Sequence, residues 1–284
     1  MENKRKTLES FSNIKKKGDI MSIFSSVLKN KHLTVYLAKN DMKNKFAGSY
    51  LGVFWAFVQP VITILLYWFV FQIGLRSGDV GNTPFVLWLM AGLIPWFFFQ
   101  EAVMNSTNCF IEYNYLVKKV VFNIDILPVV KIVSALFIHA FFLVVLLVVY
   151  AAFGYFPGFI FIQLLYYSLG MVALVLGISY LTSAIAVFFK DATQLIGVFM
   201  QIGVWATPIM WNYDALNLNE NLKMIFKFNP MFYVVNGYRK TLIDRQPFWE
   251  MPVETICFWC VVILMYLIGT NVYKRLKPHF ADSL

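Results

Sequence analysis

The chain has 284 residues, of which 60% are hydrophobic and only 14% are charged, and its mean hydropathy is +0.66. Soluble domains carry about 25% charged residues, so this composition excludes an ordinary water-soluble protein and predicts an all-α integral membrane protein. The net charge of +9 does not indicate nucleic-acid binding, because the basic residues lie in the N-terminal tail and in short loops between apolar runs.

Residues 1–32 are predicted to form a cytoplasmic tail that ends in an amphipathic helix. The first part of this tail is polar and lysine-rich and is typical of a flexible segment. Apolar residues then recur at helical spacing, opposite serines and a lysine, which predicts a helix on the membrane surface. These apolar residues are Ile20, Ile23, Phe24, Val27 and Leu28.

The stretch from Asp41 to Pro60 is predicted to bring the chain into the membrane. Lys39 just before it and Lys43 and Lys45 at its start suit an anionic lipid surface. Gly48 and Gly52 permit a change of direction. Trp55 follows as an interfacial anchor. Pro60 lies within the apolar run and removes one backbone donor, so this helix is expected to be packed or water-lined rather than surrounded by lipid.

Six stretches are apolar and long enough, or nearly so, to cross a bilayer. An even number of spans places both termini on one side, and all but six of the 24 Lys and Arg residues then lie on that side. The six exceptions are Arg76, Lys223, Lys227, Arg239, Lys240 and Arg245. The charge distribution therefore predicts cytoplasmic termini. The predicted spans are Phe54 to Leu75, Phe85 to Thr107, Ile132 to Phe153, Ile160 to Phe189, Leu195 to Trp211, and Thr255 to Tyr273.

Two segments between the spans have unusual composition. Asn212 to Pro252 mixes polar residues with aromatic residues and prolines, which predicts re-entrant helices dipping into the outer leaflet. Glu112 to Lys131 is too polar to span and too apolar to be disordered, and it is predicted to form a short docked helix that ends near Pro128.

The chain contains none of the short motifs that carry common chemistries. GxxxxGK[ST], HExxH and GxSxG do not occur, and His32, His139 and His279 lie on different segments. Cys257 and Cys260 lie one helical turn apart within an apolar run and are interpreted as packing thiols. We therefore expect no catalytic residue, metal or cofactor on this chain.

Several sequence blocks occur in a characteristic order between about Lys39 and Lys277. They are Gly48, Leu51, Gly52, Trp55 and Pro60; Leu116, Val117, Lys118 and Lys119 with Leu127 and Pro128; Asp191 with Gln194; Thr207, Pro208 and Ile209; and Asn229, Pro230 and Met231 with Tyr238 and Arg239. In this ordered set the chain resembles the transmembrane subunit of type-2 ABC exporters of the polysaccharide, O-antigen and teichoic-acid export family. The chain departs from that pattern at Asn123 and Lys190.

The resemblance implies a type-2 permease domain over residues 33–277, followed by a cytoplasmic tail over residues 278–284. It implies a homodimer that works with two copies of a separate ATPase subunit, which binds ATP and Mg. It also implies export of a lipid-linked glycan, such as an O-antigen, across a bacterial cytoplasmic membrane. A teichoic-acid or capsular polysaccharide exporter, a small-molecule exporter and a membrane-embedded glycan or phosphoryl transferase remain the alternatives.

Candidate substrate-path residues follow from residue type and position. Aromatic side chains with polar tips suit sugar rings as well as membrane interfaces and packing. Glu101 is a carboxylate within an apolar run, which marks either a functional site or a helix contact. Arg239 could hold a lipid phosphate or anchor the outer segment to headgroups. The candidates are Trp55, Tyr67, Trp96, Phe97, Glu101, Tyr238 and Arg239.

The segment from Glu112 to Pro128 is predicted to couple the permease to the ATPase. It combines apolar residues with charges, as expected for an anchor with a polar rim in the cleft of a partner. The candidate coupling residues are Leu116, Lys118, Lys119, Phe122, Asp125 and Pro128.

Overall fold

The computed structural model describes residues 27–76, 78–119, 123–212, 226 and 228–284. These residues are arranged almost entirely as helices, with one isolated bridge between Val80 and Thr83. The prediction of an all-α protein is thus confirmed. The α-helices are α1 (Lys31–Asn44), α2 (Trp55–Trp68), α3 (Phe85–Thr107), α4 (Cys109–Glu112), α5 (Asn114–Val117), α6 (Leu127–Ala152), α7 (Gln163–Phe188), α8 (Ala192–Ala206), α9 (Pro230–Arg239), α10 (Pro252–Leu276) and α11 (Phe280–Ser283).

Five helical stretches of the described chain are long and apolar enough to cross a membrane. Short 3₁₀ or π turns extend four of them beyond the α-helices named above. All five correspond to predicted spans, which agrees with hydropathy as the main signal for membrane helices. They are Gly52–Gly74, Phe85–Thr107, Ile124–Ala152, Gly158–Phe188 and Pro252–Ser283.

The remaining predicted span, Leu195 to Trp211, is shorter in the structure. Its helix α8 has 15 residues, which corresponds to a length of about 22 Å, less than the roughly 30 Å of a bilayer core. The helix ends because Thr207 has extended backbone angles, φ −94 and ψ 127. The following Pro208 disfavours a helical conformation at Thr207 and explains this early end.

Helix α3 lies at the centre of the bundle, whereas the first span lies at its edge. In the most apolar window of α3, 78% of the residues are buried, compared with 6% in the corresponding window of Gly52–Gly74. Helix α3 packs against α2, α6, α7, α8 and α9. The first span therefore presents most of its apolar surface outside the chain's own core.

Helices α7 and α10 pack along each other through a contact between backbones. A Cβ atom built at Gly269 would lie 2.1 Å from the carbonyl oxygen of Gly177. A Cβ atom at Gly177 would lie 2.6 Å from the amide nitrogen of Tyr266. Only glycine permits this approach, so α7 and α10 form a closely packed pair.

The connection between α1 and the first span contains the two glycines predicted to allow a turn. Gly48 has φ +85 and Gly52 has φ +51, in the left-handed region that glycine adopts without strain. Of the predicted amphipathic helix, Ile20, Ile23 and Phe24 lie outside the described residues.

The segment between α3 and α6 differs from the predicted single helix. It contains the short helices α4 and α5 and a 3₁₀ turn over Ile124–Ile126. The prediction that Pro128 ends a helix is wrong, because Pro128 lies in the first turn of α6. Proline is tolerated there since the first-turn amide has no partner within the helix.

The outer segment before the last span contains helix α9. The Asn229 side chain accepts a hydrogen bond from the Met231 amide and caps the helix, and Pro230 occupies its first turn. Most residues of α9 are buried. This element therefore belongs to the packed core and is not a solvated loop.

Candidate functional site

A cavity of about 1100 Å³ lies between the first span, α3 and α8. Pro60 and Ala56 both line it. Proline at position 60 removes the amide that would bond the Ala56 carbonyl within the helix. The carbonyl that loses this helical bond thus belongs to a residue of the cavity wall, so polar groups of the cavity can serve it. Most of the first span nevertheless lies outside the packed core.

The cavity wall contains polar side chains that can donate and accept hydrogen bonds. The first span, α3 and α8 each contribute amide or hydroxyl side chains. These are Gln59, Thr63, Gln100, Asn105 and Gln201. Amides and hydroxyls in a membrane-embedded wall need polar partners such as water or substrate hydroxyls. The lining therefore suits a hydroxyl-rich solute.

Aromatic side chains form the other part of the wall. Tyr67 and Trp205 line the cavity from the first span and α8, and Trp96 and Phe97 line it from α3. The indole N–H of Trp96 donates to Gln100 Oε1 at 3.1 Å, and its ring packs against the backbone of Gly203. Trp96 is thus fixed in position by both polar and apolar contacts.

One ion pair lies at the end of the cavity next to α1. Lys45 Nζ donates to Glu101 Oε1 at 2.6 Å, and both residues line the cavity. Their side chains are 39% and 22% exposed. The pair connects the segment that follows α1 to α3, and it satisfies the intramembrane carboxylate that the sequence singles out.

A second ionic cluster attaches α1 to the bundle. Lys131 on α6 donates to Asp41 Oδ1 and to Glu112 Oε2, at 2.5 Å in both cases. The Tyr113 hydroxyl donates to Asp41 at 2.8 Å, and burial together with the Asp41 charge raises the pKa of Tyr113. Lys131 and Asp41 are almost fully buried, so these contacts hold α1 on α6.

A third cluster attaches the segment before α6 to the end of α10. Asp125 Oδ1 accepts hydrogen bonds from the Tyr273 hydroxyl at 2.6 Å and from Lys277 Nζ at 2.5 Å. The Tyr180 hydroxyl on α7 donates to the Asp125 backbone carbonyl at 2.7 Å. This part of the connecting segment is therefore joined to the α7–α10 pair.

The structure brings four of the seven candidate path residues to the cavity and places three elsewhere. Tyr67, Trp96, Phe97 and Glu101 line the cavity. Trp55 is 41% exposed near the start of the first span and is not part of the wall. Tyr238 is buried in the bundle interior, where its hydroxyl is 2.8 Å from Ser168 Oγ.

Arg239 is buried against the ends of α3 and α8. Its guanidinium donates to the carbonyls of Pro208 and Ile209 at 2.6 and 2.8 Å and lies 3.4 Å from the centre of the Trp88 ring. The Nε atom also donates to the Trp88 carbonyl at 3.4 Å, so these contacts engage all three nitrogens and one face of the planar group. The packing favours a structural role for Arg239 over the predicted contact with a lipid phosphate.

The candidate coupling residues differ in exposure. Lys118 and Lys119 are exposed, Leu116 is half-buried and Pro128 is buried. Leu116 packs against a small core around Phe110 and Tyr273. Phe122 lies outside the described residues.

Sequence reasoning missed Lys45, Asp41 and Lys131 as contact residues. Asp41 and Lys131 are 90 positions apart, and periodicity carries no signal over that separation. A charged residue within a strongly apolar helix was the one available sign for Lys131. For Lys45, the basic entry into the membrane indicated lipid headgroups and not a carboxylate.

The family model of the ABC-2 type transporter matches residues 32–243. The chain is 23% identical over 252 residues to the O-antigen export system permease protein RfbA of Myxococcus xanthus, covering 89% of this chain and 95% of that protein. Two Klebsiella pneumoniae proteins of the same name are 24% and 22% identical over 253 residues, with the same coverage. The matched region contains the first four long spans, α8 and α9, and from this match we conclude that the chain is a multi-pass membrane transport protein of the ABC-2 type transporter family.

Proposed function

We propose that this chain is the permease subunit of an ATP-driven exporter that moves a lipid-linked polysaccharide of the O-antigen type across a bacterial inner membrane. The relatives named as O-antigen export permeases support this substrate class, since their similarity extends over 89% of the chain. The observation that carries the proposal is the cavity lined by amides and aromatic rings. Amide groups form hydrogen bonds with sugar hydroxyls, and aromatic rings offer flat apolar faces on which sugar rings stack.

A second copy of the chain is proposed to complete the path. Six helices of one chain cannot readily enclose a sugar polymer, whereas two copies related by a two-fold axis can. The first span and α8 flank the cavity and expose apolar side chains that a second copy would cover. These include Ile62, Leu65, Leu66, Val198, Phe199 and Ile202.

A separate ATPase subunit is proposed to bind the segment between α3 and α6. This segment exposes Lys118 and Lys119 beside the half-buried Leu116, a mixture suited to a partner cleft with a polar rim. The distribution of Lys and Arg supports a cytoplasmic position for this segment and for both termini. ATP and Mg would then bind to the partner.

The test measures ATP hydrolysis by the complex of this chain with the proposed ATPase subunit. A lipid-linked polysaccharide should stimulate hydrolysis, whereas a lipid-linked teichoic-acid precursor and a cationic amphiphile of the drug class should have little effect. Equal stimulation by the drug-like amphiphile would contradict the polysaccharide assignment. Stimulation by the teichoic-acid precursor alone would replace the O-antigen class by that polymer.

A further inference from the structure

We propose that Lys45 binds the phosphate group of an amphiphilic substrate. In the absence of substrate, Glu101 forms an ion pair with Lys45, and the phosphate displaces the Glu101 carboxylate when it binds. The inference rests on the proposed function and extends it by naming the chemical group recognised at the end of the cavity. The ligand chemistry is a phosphate ester attached to a lipid, and two sources can supply it: a lipid-linked glycan or a membrane phospholipid.

The position of the ion pair fits a headgroup site. Lys45 follows α1 directly, and Glu101 lies six residues before the end of α3, which is about 9 Å along the helix. Helix α1 is held against the start of α6 by the Asp41 and Lys131 contact. Both charges therefore lie near the end of the spans where α1 packs, within reach of the headgroup region for a long lysine side chain.

The charge content of the cavity supports an exchange of anions. Among the described residues that line the cavity, Lys45 is the one cation and Glu101 the one carboxylate. The pair is neutral as a unit, so it does not leave an isolated charge beside apolar walls. A phosphate that approaches Lys45 carries negative charge, repels Glu101 and keeps the lysine paired.

The ion pair is also less fixed than its neighbour at Lys131. Lys131 makes two carboxylate contacts, and its side chain is 6% exposed, whereas the Lys45 side chain is 39% exposed. A partly exposed ion pair contributes little to stability and is easily broken. Asn105 lies one turn beyond Glu101 and lines the same cavity, and it offers an amide donor to the released carboxylate.

The experiment compares binding of two probes to the complex of permease and ATPase. The complex is kept in a polyoxyethylene detergent, which contains neither phosphate nor sugar, and apparent Kd values are obtained by native mass spectrometry. The probes are a polyprenyl diphosphate-linked oligosaccharide and phosphatidylglycerol. The variants are Lys45→Gln, Lys45→Arg and Glu101→Gln, with Lys43→Gln as the control because Lys43 is exposed on α1 and does not line the cavity.

The proposal predicts opposite effects of the two charge removals. Lys45→Gln should weaken binding of the glycan probe about tenfold or more, because one charge-assisted hydrogen bond is lost. Glu101→Gln should strengthen it roughly threefold, because the competing carboxylate is removed. Lys45→Arg should retain binding, and Lys43→Gln should change it less than twofold.

Two outcomes overturn the proposal. If the pair only holds α1 against α3, both removals weaken binding together or leave it unchanged. If the opposite effects occur for phosphatidylglycerol but not for the glycan probe, the site binds bulk phospholipid, and Lys45 does not recognise the exported substrate. The proposed function is judged separately, since glycan-stimulated ATP hydrolysis by the wild-type complex tests it without reference to Lys45.

Discussion

Arg239 illustrates how burial changes the interpretation of a single residue. In the sequence it is a basic residue within a polar and aromatic outer segment, which is equally consistent with phosphate binding and with headgroup anchoring. In the structure its guanidinium joins α9 to the Trp88 ring and to the carbonyls that follow α8. Sequence could not predict this outcome, because the partner carbonyls come from Pro208 and Ile209, about 30 positions away.

The first prediction concerns the stability contributed by Arg239. Arg239→Lys should lower the free energy of unfolding by about 1 to 3 kcal/mol, because lysine keeps the charge but cannot serve both carbonyls and the Trp88 face together. Thermal unfolding in detergent measures the change. Arg245→Lys is the control, since Arg245 is exposed and its guanidinium donates to the Phe156 carbonyl at the surface. Equal stability of the Arg239 variant and this control would contradict the structural role.

The second prediction separates two aromatic residues of the first span. Tyr67→Ala should reduce export several-fold while the complex still assembles, because a ring of the cavity wall is lost. Trp55→Ala should have a smaller effect, because Trp55 is not part of that wall. Transport by the two variants, normalised to the amount of assembled complex, gives the comparison. A larger loss of transport for Trp55→Ala than for Tyr67→Ala would indicate that the substrate passes along the exposed face of the first span and not through the cavity.

At the scale of helices, the long spans could be predicted from the sequence and the contacts between them could not. Apolar length defined the span Phe85 to Thr107 with the same bounds that α3 has in the structure. The limits of α8 depended on one local effect, the extended conformation of Thr207 before Pro208. The pairing of α7 with α10 depends on Gly177 and Gly269, which the sequence did not distinguish from other helical glycines.

The third prediction tests the contact between α7 and α10. Gly269→Ala should destabilise the protein by roughly 1 to 3 kcal/mol, because the added Cβ meets a backbone oxygen that cannot move aside. Gly197→Ala is the matched control, since its Cβ would meet only the end of Met104 at 3.8 Å and alanine favours the helix. Unfolding in detergent provides the measurement. A Gly269 variant as stable as the Gly197 control would show that the helices separate easily.

The fourth prediction concerns the cluster at Asp125. Asp125→Asn removes the carboxylate charge that accepts hydrogen bonds from Tyr273 and Lys277. The substitution should weaken the attachment of the proposed coupling segment to the end of α10. The ATPase should still co-purify, but glycan-stimulated ATP hydrolysis should fall several-fold because movement at the interface no longer reaches the α7–α10 pair. Asp282→Asn serves as the control, because the Asp282 side chain of α11 is exposed. Unchanged stimulation in the Asp125 variant would contradict a role in coupling.

At the scale of the whole molecule, the exposed first span and α8 distinguish this chain from a self-contained bundle. The apolar surface beside the cavity belongs to helices at the edge of the packed core. A cavity at that edge becomes an enclosed path only when another surface covers it. The arrangement of helices thus connects the proposed homodimer directly to the proposed transport activity.

The fifth prediction concerns composition of the complex. The complex purified with the ATPase should contain two copies of this chain, because the cavity between the first span, α3 and α8 needs a second surface to become an enclosed path. Native mass spectrometry counts the copies. The permease alone should not hydrolyse ATP, and one copy per complex would contradict the shared path.

The most direct test of the central claim is transport into sealed proteoliposomes that contain the complex. A lipid-linked oligosaccharide supplied on the ATPase side should become accessible on the opposite side only when ATP is hydrolysed, and an ATPase variant that cannot hydrolyse ATP should stop the reaction. We predict ATP-dependent transfer of the glycan and none of a lipid diphosphate that lacks sugar. ATP-independent transfer, or equal transfer of the sugar-free lipid, would contradict the account.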